Sequence, residues 1–277
     1  MKTNENKRIE FNLMLLIIRI ILIAIIIICS IYIVNWYIEN KKSANMLKEI
    51  TDSSIIGTNT IEIPIDSNEG TGDDSNGENT NPNEAKKIQI PTYELDFDKL
   101  LSINKSTVGW ISVPNTSINY PVAQASNNDF YLNHSFDNSK NSAGWIFADY
   151  RNKFDGTDKN IIIYGHNRMD SSMFATLKNT QKSNWYNNQN NKYVTITTPS
   201  GTIVYETFSV YTIPSESYYL ATQFSSDESY LEFLNTLKSR SVHDFGVSLD
   251  ADDSILTLST CDSTGKSRVI LHAKKIF

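Results

Sequence analysis

The chain has 277 residues, 40% hydrophobic and 20% charged, with a formal net charge of −6. That length makes one or two domains, and the composition excludes a collagen, a disulfide scaffold or a wholly disordered chain. The charge is uneven: +3 over residues 1–50, −6 over 51–90 and −3 over 91–277. No stretch is basic enough to mark nucleic acid as the main partner.

Residues 13–34 are apolar apart from Arg19 and Ser30. As a helix they rise about 33 Å, enough to cross a hydrocarbon core of roughly 30 Å. Arg19 lies near one end, where its stem can snorkel, and Trp36 and Tyr37 follow as interfacial aromatics do. A cleaved signal peptide would have a shorter core and a small-residue cleavage site, which Ile31–Trp36 does not offer. The reading is an uncleaved signal anchor in the lipid bilayer, with 1–12 as a cytoplasmic tail. Lys2, Lys7, Arg8 and Arg19 against Lys41, Lys42 and Lys48 give a small bias toward that orientation.

Residues 35–90 read as an extracellular acidic and polar tether. Its heart, Asp66–Glu84, lacks the apolar residues that could offset the cost of ordering its backbone. Cys29 sits within the apolar span as lipid-facing filler; Ile28 before it argues against a lipoprotein acceptor. Cys261 is then the sole cysteine outside the membrane, a candidate reactive thiol.

Residues 91–277 form one domain. Asp96–Ile103 has the spacing of a short amphipathic helix. Eight β-rich runs follow: 108–113, 117–122, 144–147, 160–164, 193–197, 202–211, 254–260 and 267–273. Turn residues separate them, as at Pro114-Asn115 and Pro199-Ser200-Gly201. Helical spacing interrupts them at Ser172–Thr180 and Asp227–Arg240, the latter with Ser226 as N-cap. The expectation is a mostly-β domain, a barrel or sandwich with helical insertions.

Three residues suit acyl transfer. His166 follows a strongly apolar strand and Gly165, and Cys261 ends another. Asp262–Ser267 makes a tight turn, so Arg268 starts the next strand near Cys261 by hairpin geometry. A thiolate can attack a carbonyl, a histidine can protonate the departing amine, and a guanidinium can hold the oxyanion. By residue type alone, a buried inert cysteine and a solvated arginine stay open. Among the other histidines, His134 and His243 lie in polar, loop-like settings, while His272 shares strand parity with Arg268 and competes with His166. No pair of His or Cys has zinc-ligand spacing.

Thr257-Leu258-Ser259-Thr260-Cys261 followed by Arg268 resembles the TLxTC…R signature of sortases, the membrane-anchored transpeptidases of Gram-positive bacteria. Tyr164-Gly165-His166 resembles their histidine motif, and the similarity extends over 95–277, including Gly109–Pro114, Tyr120–Val122 and Gly144–Phe147. The helix-bearing segment between Pro214 and Asp253 and the helical lead-in resemble class B. No apolar segment follows Phe277, unlike many pilus-polymerising class C enzymes.

The resemblance implies an eight-stranded sortase-type β-barrel with an N-terminal helical lead-in and a helix-bearing insertion before the cysteine strand. It implies Cys261 as nucleophile, His166 as general acid and then base, and Arg268 as oxyanion or substrate clamp. Thr260, Ser259, Asn128, Leu132, Ser215, Tyr219 and Leu220 become substrate-groove candidates, with Asp262 as a possible extra acidic group. No metal or cofactor is implied. The partners would be surface proteins bearing a C-terminal sorting signal, of NPxTx type, and a cell-wall-precursor or pilin amine as acceptor. An LPxTG-type housekeeping or pilin-polymerising enzyme is the alternative, and a non-catalytic surface binding module is the alternative from another class. Ordinary thiol and imidazole pKa values of about 8.5 and 6.5 leave few thiolate–imidazolium pairs, which predicts slow turnover and a bell-shaped pH profile.

Overall fold

A computed structural model describes residues 2–64, 87–261 and 266–277. The chain divides into two compact units, 1–45 and 46–277. Helix α1 (Lys2–Ser54) supplies the first. It contains a stretch long and apolar enough to cross a membrane, none of it buried in protein. Cys29 is exposed on that stretch.

The last turns of α1 belong to the second unit, where Ile50 is buried in the main core. Two further strands flank the acidic stretch: β1 (Ile55–Pro64) pairs antiparallel with β2 (Lys87–Leu95). The region expected as one tether, 35–90, is therefore helical or paired over 35–64 and 87–90. The cause is an alternation that the acidic average concealed. Ile61, Ile63, Ile88 and Ile90 share one face and pack with Tyr193 and Val204. Burying Ile88 and Ile90 contributes roughly 2 kcal/mol each. The acidic heart at Asp66–Glu84 lies outside the described residues.

Helix α2 (Phe97–Ile103) starts where Asp96 caps it, its carboxylate accepting the Lys99 N–H at 2.9 Å. The remaining strands are β3 (Thr107–Ser112), β4 (Asn119–Gln124), β5 (Phe147–Ala148) and β6 (Asn160–His166). After the short helix α3 (Ser183–Tyr186) come β7 (Tyr193–Thr198) and β8 (Gly201–Pro214). Helix α4 (Asp227–Ser239) precedes β9 (Ile255–Cys261) and β10 (Ser267–Lys275). Strands β3–β10 close a barrel in the order β10-β8-β7-β3-β4-β5-β6-β9. All eight expected runs are strands of it.

Two local expectations change. The strand expected from Gly144 is reduced to Phe147–Ala148, because Gly144 takes φ +61°, which interrupts extended backbone. Ser172–Thr180 forms a 3₁₀ helix over Ala175–Gln181, after Ser171 and Met173 adopt positive φ. Helix α4 begins as expected at Ser226, in a reciprocal capping box with Ser229.

Most barrel neighbours are antiparallel, but β4–β5 and β6–β9 are parallel. A parallel pair needs a long crossover, and the β6–β9 crossover contains β7, β8 and α4. Covered on both faces, β6 can be apolar throughout, as Ile161-Ile162-Ile163 is.

Candidate active site

The parallel register of β6 and β9 runs without slip from Asn160↔Ile255 to His166↔Cys261. The two strands thus end together, with His166 and Cys261 as their last paired positions. On the other side of β9, β10 runs antiparallel with Ile270 opposite Ser259. Cys261 lies two residues beyond Ser259, and Arg268 two residues beyond Ile270 toward the same end. Arg268 is held across from Ile213 of β8, is half-buried, and donates from Nη1 to the Ser267 carbonyl at 2.9 Å. The three residues, 102 positions apart in sequence, gather at one end of three adjacent strands.

His166 is the best defined of them. Its Nε2 lies 2.8 Å from the Leu132 carbonyl, which can only accept, so the proton of the neutral ring sits on Nε2. Nδ1 is then the unprotonated nitrogen of the neutral ring. Burial pushes the imidazole below its ordinary pKa and the nearby Arg168 charge adds to this, while the Leu132 bond opposes them. Gly144 allows this placement: a Cβ there would lie 2.6 Å from the Tyr131 carbonyl oxygen and 2.7 Å from His166 Cδ2. A Cβ on Gly165 would likewise lie 2.6 Å from Cγ of the Phe174 ring.

His272, the competing histidine, has a different role. It is completely buried, with Nδ1 2.9 Å from Thr257 Oγ1 and Nε2 2.8 Å from the Tyr211 hydroxyl. Asn160 donates its amide hydrogens to the carbonyls of Tyr219 and Ala221, leaving Oδ1 to accept from Thr257. With its one proton so committed, Thr257 accepts from His272 Nδ1–H, and Nε2 accepts from Tyr211. Burial holds this ring neutral, its pKa down at about 3. His134 stacks on Phe130 with centroids 4.0 Å apart, and His243 on Tyr186 at 4.1 Å.

The groove candidates separate by position. Leu132 meets His166 through its carbonyl. Ser259 bonds the Tyr219 hydroxyl at 2.9 Å, inside the protein. Strand alternation turns Thr260 to the opposite face, where its Oγ1 is buried with no hydrogen-bond partner among the described residues. Asn128 faces inward, donating to Asp149 and accepting from the Tyr150 N–H. Ser215 is exposed and bonded through its N–H to the Lys266 carbonyl, and Leu220 is half-buried. Asp262 lies outside the described residues. Residue types and spacing overlooked two contributors: Gly144, taken for a strand residue, and Asp149, whose buried carboxylate has no local sequence signal.

A closed barrel that pairs a histidine strand in parallel with a cysteine strand, and flanks them with an arginine strand, is the framework of a cysteine transpeptidase. Comparison with known proteins agrees. The sortase domain family model matches residues 111–276. Sortase B of Listeria monocytogenes is 38% identical over 182 residues, covering 64% of this chain and 72% of that protein. Sortase B of Staphylococcus aureus is 36% identical over 183 residues, covering 65% and 74%. The X-ray structure of Clostridium perfringens sortase B superimposes with a TM-score of 0.62 at 36% identity, over 66% of this chain and 100% of that one. A Staphylococcus aureus sortase B–substrate complex gives 0.61 at 36% identity, over 65% and 84%. The chain belongs to the sortase family, as a class B-like cysteine transpeptidase.

Proposed function

We propose that this transpeptidase acts from the outer face of the cell membrane, with α1 as signal anchor, residues 1–12 cytoplasmic and the barrel extracellular. It cleaves NPxTx-type sorting signals after the threonine. The observation that supports the catalytic assignment is the His166↔Cys261 register, which brings the two residues level at the ends of adjacent parallel strands.

In this reading the Cys261 thiolate attacks the threonine carbonyl, and the oxyanion that forms is held by the Arg268 guanidinium. The C–N bond breaks as the departing amine takes the Nδ1 proton of the imidazolium, leaving a thioester and a neutral His166. An acceptor amine, from a cell-wall precursor or a pilin lysine, then attacks the thioester. His166 takes its proton, and the thiolate leaves. The Nε2–Leu132 bond keeps the ring in the orientation and tautomer that both steps require. Leu132, Ser215, Tyr219, Leu220, Ser259 and Asn128 border the groove or support its walls, whereas Thr260 supports β9 from the opposite face.

The test is a cleavage screen of the full chain in detergent over NPxTx and LPxTG peptides, with hydroxylamine as acceptor. Threonine hydroxamate from the NPxTx peptide is expected, with none from a Cys261→Ala variant. Cleavage of LPxTG peptides alone would sink the specificity assignment. No thioacyl adduct and no hydroxamate from any peptide would sink the catalytic one.

A further inference from the structure

We propose that Asp149, to which no step of the reaction assigns a part, is the positioning residue that holds the His166 side of the site in register with the Cys261 side. The proposal rests on the catalytic reading above. Asp149 follows β5, and its side chain has no exposed surface. Five hydrogen bonds converge on the one carboxylate. Oδ1 accepts the Arg151 backbone N–H at 3.0 Å and its Nε–H at 2.8 Å. Oδ2 accepts Arg151 Nη2 at 2.7 Å, the Tyr164 hydroxyl at 2.8 Å and Asn128 Nδ2 at 2.9 Å.

Burial alone would push the carboxyl pKa up, but these bonds, those of Arg151 foremost, hold it below the usual range. The group is an anion at any working pH. A neutral amide could not take its place, since one of its two ends would face these donors with further N–H groups.

The elements brought together matter more than their number. Tyr164 is two residues before His166 on the same face of β6, so its bond sets the height of the strand end. Asn128 opens the loop that ends in the 3₁₀ turn Phe130–Leu132, and the Leu132 carbonyl fixes the His166 ring. Arg151 reaches past Asp149 to donate to the Leu220 carbonyl at 3.0 Å. Leu220 follows Tyr219, whose hydroxyl bonds Ser259, two residues before Cys261. One buried charge therefore fastens the histidine strand, the loop that selects the histidine tautomer, and the insertion turn that braces the cysteine strand. A displacement near 1 Å at such a site costs up to about a hundredfold in rate.

The experiment uses the full chain in detergent micelles. Asp149→Asn, Tyr164→Phe and the double variant are compared on a quenched fluorescent NPxTx peptide with hydroxylamine. The His166 ring is read separately by ¹⁵N NMR of histidine-labelled protein, its signals assigned through a His166→Gln variant. Asp149→Asn is expected to lower kcat at least tenfold with KM within threefold, and to move the ring from the Nε2–H tautomer toward a mixture. Tyr164→Phe is expected to lower kcat about threefold. The double variant should be no slower than Asp149→Asn alone, because the two groups act as a unit.

A kcat within twofold of wild type for Asp149→Asn with an unmoved ring signal overturns the proposal, as do losses that multiply in the double variant. Should Asp149→Asn fail to fold, Tyr164→Phe decides: an unchanged kcat and tautomer overturn the proposal, and a change in both supports it. Wild type that cleaves no peptide defeats the catalytic reading instead, and the NMR comparison still judges the positioning role.

Discussion

Acidification should destabilise the barrel chiefly through His272. The ring is fully buried, donates to Thr257 and accepts from Tyr211, and has no carboxylate among those partners. Its folded pKa is about 3, against about 6.5 for an unfolded histidine. Between those values the unfolded chain holds a proton that the folded chain does not. Stability is therefore complete above pH 6.5 and is lost as the pH falls toward 3. One proton gives a slope of about 1.4 kcal/mol per pH unit, and the full window amounts to roughly 4 to 5 kcal/mol. That is a large share of the stability of an ordinary domain, 5–15 kcal/mol by the usual range, or roughly a third to all of it. Asp149, held below the usual carboxylate range, adds its own loss only under about pH 4. Urea unfolding followed by tryptophan fluorescence between pH 4.5 and 7 measures the slope. Replacing His272 by Gln will lower stability at pH 7, but should flatten the pH dependence by about 1.4 kcal/mol per unit below pH 6. Equal slopes for wild type and His272→Gln would refute the assignment of a buried neutral imidazole.

Other outcomes follow from the same geometry. The kcat/KM profile should be bell-shaped with its acid limb below pH 6.5, because burial depresses the His166 pKa; a midpoint above 7 contradicts this. Gly144→Ala combines a positive φ with a Cβ 2.6 Å from the Tyr131 carbonyl oxygen. It should cost at least about 2 kcal/mol in urea unfolding and at least tenfold in peptide cleavage, since the same Cβ meets His166. Ser226→Ala removes the α4 capping box and should lower stability by about 1 kcal/mol with kcat unchanged. An unaltered urea midpoint would count against the cap.

The eight barrel strands were readable because each carries its signal within a few residues: β-branched runs, period-two alternation, and Pro, Gly or Asn at the ends. The α2 and α4 boundaries were readable for the same reason, through Asp96 and Ser226. The β1–β2 pair was not, since four isoleucines were averaged into an acidic stretch whose strands are separated by residues 65–86. In the site, Cys261 and Arg268 are near neighbours by chain connectivity alone. His166 is not: its place depends on a parallel pairing across nearly ninety residues, which no local pattern encodes.

By itself the sequence determined an apolar span long enough for a bilayer, a β-rich domain, and a short set of candidate residues whose types suit acyl transfer. It also showed that the charge of −6 belongs to residues 51–90 rather than to the reaction centre. Only the tertiary structure separated the surroundings of His166 from those of His272. Both rings have lost most contact with water, but His166 holds the Leu132 carbonyl at a strand end level with Cys261, while His272 is enclosed by Thr257 and Tyr211. Only the closed barrel, too, could bring Asp149 to the donors of Asn128, Arg151 and Tyr164, because a buried charge is tolerable only where long-range folding assembles enough hydrogen bonds to replace water.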